Sequence, residues 1–311
     1  MKFNPKARLD TSQIRDRRGR SSGGSGGMSG GLGGGGLPRS IPMGAGGGIG
    51  GLILVVIAFF VFGGGIGGGD SSEALPDDTN LEAECQTGED ANDSQACALV
   101  ATVNSVQSYW STALEEQSGT PYEMSQTEFF SGSTTTQGCG SASSDVGPFY
   151  CPVDDTVYID TTFYDQMLEG QLGAEGGPFA EAYVIAHEYG HHIQDLLGTM
   201  GQVRTQQGPT SDSVRLELQA DCYAGIWAKH ATTAPDATGE PLIVELTQDD
   251  ISRAIDAAHA VGDDRIQQRS GGRVIPEQWT HGSAQQREDW FRTGMEQGTL
   301  AACDTFSPSA L

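Results

Sequence analysis

Positively charged residues are scarce in this chain. The 311 residues include 17 Lys and Arg against 41 Asp and Glu, and the formal net charge is −24 at pH 7. Proteins that bind DNA or RNA neutralise phosphates with a basic surface, so this balance argues against a nucleic-acid partner. The excess of acidic residues favours solubility outside the cell.

Charged residues are absent from positions 40–69. Within this interval, a helix over 49–66 would be about 27 Å long, close to the ~30 Å hydrocarbon core of a membrane. We therefore predict one transmembrane helix within residues 45–68. A strongly hydrophobic helix of a soluble core is the alternative. A cleaved signal peptide fits less well, because the polar leader is long and no A-x-A-like site follows.

The distribution of charge around this interval predicts the orientation of the chain. The residues up to 39 carry eight Lys or Arg and two Asp, a net charge of +6, so the remainder carries −30. Residues 1–44 are therefore expected to form a disordered, basic and glycine-rich cytoplasmic tail. Residues 69–93 read as an acidic linker, and 94–311 suffice for one domain with a sizeable core. The predicted localisation is the cell membrane, with a single-pass helix and an extracytoplasmic domain.

Cysteine is missing from the residues before Cys85, and all six cysteines follow the apolar interval. An even number of cysteines in an exported region is typical of disulfide bonds, and six of them allow fifteen connectivities. Proximity in the sequence favours the pairs Cys85–Cys97, Cys139–Cys151 and Cys222–Cys303.

The apolar pattern of residues 94–311 predicts a mostly helical α+β domain with a small sheet. Helices are expected around 98–114, in two segments near 187 and 217, after Thr247 and after Ser283. The segment Asp155–Asp160 alternates and is rich in strand formers, so it is the candidate edge strand for pairing with an extended peptide. A strand that only packs the core is the alternative.

His187, Glu188 and His191 form the most informative pattern in the chain. Residues four apart lie on one side of a helix, so both imidazoles can bind a single Zn²⁺ ion. Glu188 lies beside them and can serve as a general base for a water molecule. Pro178 suits the first turn of this helix and Gly198 its end. Because five residues can match by chance, the interpretation depends on a third ligand.

Glu217 and Asp221 are the candidates for completing the site. They lie four residues apart on a second helical pattern that is largely apolar, where carboxylates need a partner. Glu217 can serve as the third zinc ligand, and Asp221 can accept a hydrogen bond from His187. The metzincin class is excluded, because no histidine follows His191 at the required spacing. An ordinary solvated helix face is the alternative for two such acids.

The sequence HEYGHH followed by ELQAD resembles the gluzincin arrangement, and more closely the family of bacterial membrane-anchored neutral zinc metallopeptidases. The similarity includes the segments 16–19, 147–152, 280–283 and 286–287 and the glycine-rich apolar interval. It implies a zincin-like metallopeptidase domain that binds one Zn²⁺ ion through His187, His191 and Glu217. No substrate follows from it.

The resemblance implies peptide hydrolysis by a zinc-activated water molecule, with Glu188 taking the proton and passing it to the leaving amine. An oxyanion stabiliser is also needed, and His281 is the preferred candidate before Tyr189 and Tyr223. A histidine that holds a loop in place is the alternative for His281. His192 is turned about 100° from His191 on the helix, so we expect it to be structural.

The sequence therefore predicts a membrane-anchored zinc peptidase that acts on a peptide or protein. One alternative is a non-catalytic binding or scaffold protein of the cell envelope that is stabilised by zinc. Another is a hydrolase of a non-peptide amide in the envelope. Four protein ligands would favour the scaffold, whereas three ligands and an intact Glu188 favour catalysis.

Overall fold

The computed structural model describes residues 1–19, 80–236 and 238–311. The predicted transmembrane helix at 45–68 lies outside these residues. No helix within the described ranges is long and apolar enough to cross a membrane. The described residues form helices and small sheets, which confirms the α+β class.

The helices make up about half of the described structure. In chain order they are α1 Leu81–Glu84, α2 Gly88–Asp93, α3 Gln95–Ser118, α4 Pro178–Leu196, α5 Asp212–His230, α6 Gln248–Ala260, α7 Asp263–Arg269 and α8 Ala284–Gln297, with a π-helical segment Tyr164–Gln171 before α4. Capping boxes at Thr247 and Ser283 fix the starts of α6 and α8, as the sequence predicts.

Helix α4 runs through the centre of the core. Every residue from 179 to 194 is buried, and α3, α5 and α6 all pack against it. Burial on all sides requires polar residues on this helix to find partners inside the protein. The histidines and acids of α4 are therefore held in defined positions.

The strands are short. They are β1 Lys2–Phe3, β2 Ile14–Asp16, β3 Gln126–Phe130, β4 Ser133–Thr135, β5 Ser141–Ser143, β6 Phe149–Cys151, β7 Thr156–Asp160 and β8 Ile243–Glu245. The main sheet has the order β2-β3-β7-β6, in which β6 is the antiparallel outer strand. The prediction of an edge strand at Asp155–Asp160 is therefore wrong, because β7 pairs with β3 on one side and β6 on the other.

Residues 1–19 are part of the folded unit. Strand β1 pairs with β8, and β2 pairs with β3 in the main sheet. The side chain of Phe3 is buried, and the Asp10 amide donates to Asn104 Oδ1 at 2.8 Å. A Cβ atom at Gly88 of α2 would lie 2.0 Å from the Asn4 carbonyl oxygen, so the segment packs closely there. The prediction of a disordered tail is wrong for residues 1–19.

All three predicted disulfide bonds are present, namely Cys85–Cys97, Cys139–Cys151 and Cys222–Cys303. The first joins the residue after α1 to α3. Leu81 and Ala91 are buried alongside it. The predicted linker at 69–93 is therefore wrong for residues 80–93, which belong to the domain. The third disulfide joins α5 to the C-terminal residues.

Candidate metal centre

Two glycine-containing helices bring the predicted ligands together. Pro178 occupies the first turn of α4, and Ser211 caps α5 by accepting a hydrogen bond from the Val214 amide. Gly190 lies where the helices cross, and a Cβ atom there would come within 2.9 Å of the Ala220 carbonyl oxygen. Any larger residue would separate the helices, so Gly190 permits the short distance between their side chains.

His187, His191 and Glu217 form one compact cluster. Each offers a ligand atom, and these atoms lie within 4.8 Å of one another. His187 Nε2 is 3.2 Å from Glu217 Oε2, and His191 Nε2 is 3.5 Å from Glu217 Oε1. All three residues are buried. The structure thus brings together the three residues predicted as metal ligands.

The other nitrogen of each imidazole makes a hydrogen bond with an acceptor. His187 Nδ1 is 2.8 Å from Asp221 Oδ1, and His191 Nδ1 is 2.9 Å from Gln194 Oε1. Because both partners accept, each Nδ1 carries the proton and each Nε2 keeps its lone pair. Two imidazole nitrogens and a carboxylate oxygen are the donor set of a catalytic zinc site with an open position. The residues present therefore fit a zinc ion.

Gln194 was not predicted as a site residue. Its side-chain amide nitrogen donates to the Leu216 carbonyl at 2.7 Å and contacts Gln219 Oε1 at 3.1 Å. These bonds orient the amide so that Oε1 faces His191. The only sequence signal for this role is its position three residues after His191, which places it on a neighbouring helical face.

Arg287 and Tyr183 surround Asp221. Arg287 donates to both carboxylate oxygens, from Nε to Oδ2 at 2.9 Å and from a terminal nitrogen to Oδ1 at 3.0 Å. The Tyr183 hydroxyl donates to Oδ1 at 2.5 Å. Burial would raise the pKa of Asp221, but the charge of Arg287 and the hydrogen bond from His187 hold it below its usual value. Asp221 therefore stays ionised as the acceptor for His187.

A cavity of about 290 Å³ opens next to this cluster. Its lining includes His187, Glu188, His191 and Glu217, together with His281. Much of its remaining wall is apolar and comprises Val146, Pro148, Phe149, Phe163, Val184 and Val203. Burial raises the pKa of Glu188 above its usual value, which brings a carboxylate closer to the basicity of a proton acceptor.

His281 lines the cavity on a loop that Asp263 organises. Asp263 Oδ2 accepts hydrogen bonds from the backbone amides of Thr280, His281 and Gly282, at 2.7 to 3.0 Å. His281 Nδ1 lies 2.8 Å from Thr280 Oγ1. The position next to the metal cluster agrees with the predicted one, and Asp263 is a further residue that the sequence did not indicate.

The other residues considered from the sequence, Tyr189, Tyr223 and His192, do not line the cavity. The Tyr189 hydroxyl contacts Thr127 Oγ1 of the main sheet at 2.7 Å, and neither Tyr189 nor Tyr223 is among the residues that line the cavity. His192 Nε2 is 2.7 Å from the Glu123 carbonyl oxygen, and its Nδ1 contacts the Tyr150 hydroxyl. These contacts are those of a structural histidine.

Comparison with known proteins agrees with this centre. A family model described as "Putative neutral zinc metallopeptidase" matches residues 2–306. The chain is 38% identical to the uncharacterized protein YpfJ of Escherichia coli K12 over 309 residues, which cover 97% of this chain and 98% of that protein. No solved structure shows a significant match.

A second relative is more similar over a shorter range. The uncharacterized protein Rv2575 of Mycobacterium tuberculosis is 52% identical over 231 residues, which cover 74% of this chain and 76% of that protein. The family model spans the helices that carry His187, His191 and Glu217 as well as the N-terminal strands. The chain therefore belongs to the family described as "Putative neutral zinc metallopeptidase".

Proposed function

We propose that this protein is a zinc-dependent peptidase with a zincin-like catalytic domain. One observation carries the proposal: His187 Nε2, His191 Nε2 and a Glu217 oxygen converge beside a cavity that Glu188 also lines. Three protein ligands with a neighbouring carboxylate are typical of a catalytic zinc site, whereas a structural site is closed by four. This arrangement favours hydrolysis over a scaffold role.

The residues of the centre divide the chemistry among them. A zinc ion held by His187, His191 and Glu217 supplies a Lewis acid that acidifies water and polarises a carbonyl group. Glu188 accepts a proton from the attacking water and delivers it to the leaving amine. Asp221 and Gln194 hold the two imidazoles in the tautomer that presents Nε2. The reaction needs no covalent intermediate.

His281 is our candidate for stabilising the developing oxyanion. Its ring lines the cavity, and the three amide hydrogen bonds to Asp263 fix the loop that carries it. A donor that is held in place before the reaction contributes most to oxyanion stabilisation. Its Nδ1 lies against Thr280 Oγ1 and 3.5 Å from Asp263 Oδ1, so Nε2 is the ring nitrogen that remains to donate. Burial lowers the pKa of His281, but Glu217 and Asp263 raise it above its usual value, which favours the protonated ring that donates from Nε2.

Strand β6 is the element most suited to hold a peptide. Among the described residues it is one of the two outer strands of the main sheet, and its residues Phe149 and Tyr150 line the cavity. An extended peptide can add to such a strand through backbone hydrogen bonds. The apolar wall beside it would accept a hydrophobic side chain of the substrate.

We also propose that the domain works in an oxidising, extracytoplasmic compartment at the cell membrane, because three disulfide bonds are typical of that environment. A chain that crosses a membrane once has its two flanks on opposite sides, whereas residues 1–19 pair with strands of the domain. This pairing supports the same compartment for both. A membrane-impermeant thiol reagent should then label cysteines introduced at Lys6 and at Glu240 equally in intact cells, and protection of Lys6→Cys alone would contradict the arrangement.

Removal and return of the metal test the peptidase proposal. Treatment with a chelator should abolish cleavage of unfolded casein, and one equivalent of zinc should restore it. Mass spectrometry of the products should find free amino and carboxyl termini at the cut sites. Cleavage that persists without zinc would contradict the proposal, and a protein that binds zinc without cleaving any peptide pool would favour the scaffold alternative.

A further inference from the structure

Asp195 is a charged residue of the cavity that the metal centre leaves unused. It lies at the C-terminal end of α4, one helical turn beyond His191, and lines the same cavity. The other carboxylates of the lining are Glu217, a proposed ligand, and Glu188, the proposed base. The lining arginine, Arg287, is bound to Asp221. Asp195 is thus the lining carboxylate to which the proposed reaction assigns no role.

The hydrogen bonds around Asp195 depend on a single side-chain donor, the Tyr150 hydroxyl. The Tyr150 hydroxyl lies 3.0 Å from Asp195 Oδ2, 3.2 Å from Asp155 Oδ1 and 3.2 Å from His192 Nδ1. His192 Nε2 faces the Glu123 carbonyl, which only accepts, so Nε2 carries the ring proton and Nδ1 of the neutral ring is an acceptor. Three acceptors therefore share one phenolic proton.

The carboxylates of Asp155 and Asp195 have no positively charged partner among the described residues. None of the ion pairs formed by those residues involves Asp155 or Asp195. Burial raises the pKa of Asp195, and its hydrogen bond with Tyr150 offsets this only in part. Asp155 keeps its place beside Tyr150 with a left-handed backbone, at φ 49°. The carboxylate on the cavity wall therefore lacks the cation that would stabilise its ionised form.

We propose that Asp195 is a specificity-determining residue that binds a positively charged group of the substrate one helical turn beyond His191. The group is an ammonium or guanidinium, from a lysine or arginine side chain or from the amino terminus of a peptide. Such a ligand donates to the carboxylate and supplies a proton donor besides the Tyr150 hydroxyl. This inference rests on the proposed peptidase function.

Peptides that differ only in charge test the proposal, with the full-length protein loaded with zinc. One pair carries arginine or its uncharged analogue citrulline at the same position, and another has a free or an acetylated amino terminus. Wild type is compared with Asp195→Asn and Asp195→Glu. The control is Asp289→Asn, which removes one negative charge from an exposed residue of α8 outside the cavity lining.

We expect wild type to cleave the charged peptide with a kcat/KM about 10-fold higher than its neutral partner. Asp195→Glu and Asp289→Asn should keep this preference, and Asp195→Asn should reduce the ratio to about 1. A higher kcat/KM for the arginine peptide than for the citrulline peptide assigns the site to a side chain. A higher kcat/KM for the free than for the acetylated amino terminus assigns it to the amino terminus.

Two results would overturn the proposal: equal kcat/KM for charged and neutral peptides in wild type, or an unchanged ratio in Asp195→Asn. Zinc content and melting temperature verify that each variant folds. The Kd values of the same peptides for Glu188→Gln, with and without Asp195→Asn, measure recognition without cleavage. Absent hydrolysis by wild type therefore contradicts the peptidase function, whereas an absent charge preference in binding contradicts the role of Asp195.

Discussion

Asp221 of the metal centre and Glu128 of the main sheet are both buried carboxylates paired with arginine, but their partners differ. Arg287, the partner of Asp221, is itself only 4% exposed, whereas Arg15 and Arg17, which contact Glu128, are 42% and 44% exposed. Water can solvate a carboxylate that loses an exposed arginine, but it does not reach a carboxylate that loses a buried one. The first pair therefore holds His187, a proposed metal ligand, rigidly through Asp221. The second holds the N-terminal segment to the sheet.

Removing the buried arginine should have the largest effect. Arg287→Met leaves the Asp221 carboxylate buried without its cation, so we expect a loss of about 3–5 kcal/mol in the free energy of unfolding. Zinc affinity should fall about 10- to 100-fold, because His187 loses its oriented acceptor. Chemical denaturation and competition with a chromogenic chelator measure the two quantities.

Two variants sharpen this test. Arg292→Met removes an exposed arginine of the same helix and should change neither quantity by much. Asp221→Asn combined with Arg287→Met removes both charges and should recover part of the stability but not the zinc affinity. Equal zinc affinities of Arg287→Met and wild type would contradict the positioning role.

The N-terminal segment is tested next. Phe3 is buried against the core, so Phe3→Ala should lower the free energy of unfolding by about 3 kcal/mol. The exposed Lys6 provides the matched control, and Lys6→Ala should have little effect. If Phe3→Ala left the stability unchanged, the segment would be a free tail, as the sequence alone suggests.

Glu181 is a third buried carboxylate, with an amide in place of an arginine. Gln95 donates to it at 2.7 Å, and burial raises its pKa from 4.5 to about 7. The folded state therefore holds this proton more tightly than the unfolded chain, and its stability falls as the pH rises from about 4.5 to 7. Glu181→Gln should add up to about 3 kcal/mol at pH 8 and little at pH 4. If denaturation showed that Glu181→Gln changes the free energy of unfolding equally at both pH values, the raised pKa of Glu181 would be refuted.

The smallest effects belong to the exposed arginines. Arg15→Gln or Arg17→Gln alone should reduce the free energy of unfolding by less than about 1 kcal/mol, because water and the other arginine still stabilise the Glu128 carboxylate. The double variant should lose about 1–2 kcal/mol. Among the described residues, Glu128 then keeps only the side-chain hydrogen bond from Thr134 Oγ1. High salt should diminish these losses but not that of Arg287→Met.

The features that could be predicted from the sequence are those that depend on short spacings along the chain. His187, His191, Glu217 and Asp221 follow from helical periodicity, because a four-residue spacing defines one face whatever the rest of the fold. The three disulfide bonds followed from proximity along the chain. Local rules of this kind were sufficient to predict that these side chains lie together.

Contacts between distant segments could not be predicted in this way. Strands β1 and β2 contain two and three residues, too few for an alternating pattern, and they pair with β8 and with β3, each more than 100 residues away. The basic, glycine-rich context of residues 1–44 is typical of a disordered tail. Helical spacing gives no role for Arg287, and for Gln194 it gives only the position three residues after His191, because both roles depend on the arrangement of three helices.

Zinc content and peptide cleavage by wild type and Glu188→Gln test the central claim most directly. Glu188 lines the cavity beside the ligand cluster but is not part of it, so the variant should bind one zinc ion as tightly as wild type. Its kcat should fall at least about 100-fold, because only the proton acceptor is lost. The account would be contradicted if the zinc-loaded Glu188→Gln protein cleaved peptides with the kcat of the wild type. Failure of the wild type to bind zinc would also contradict it.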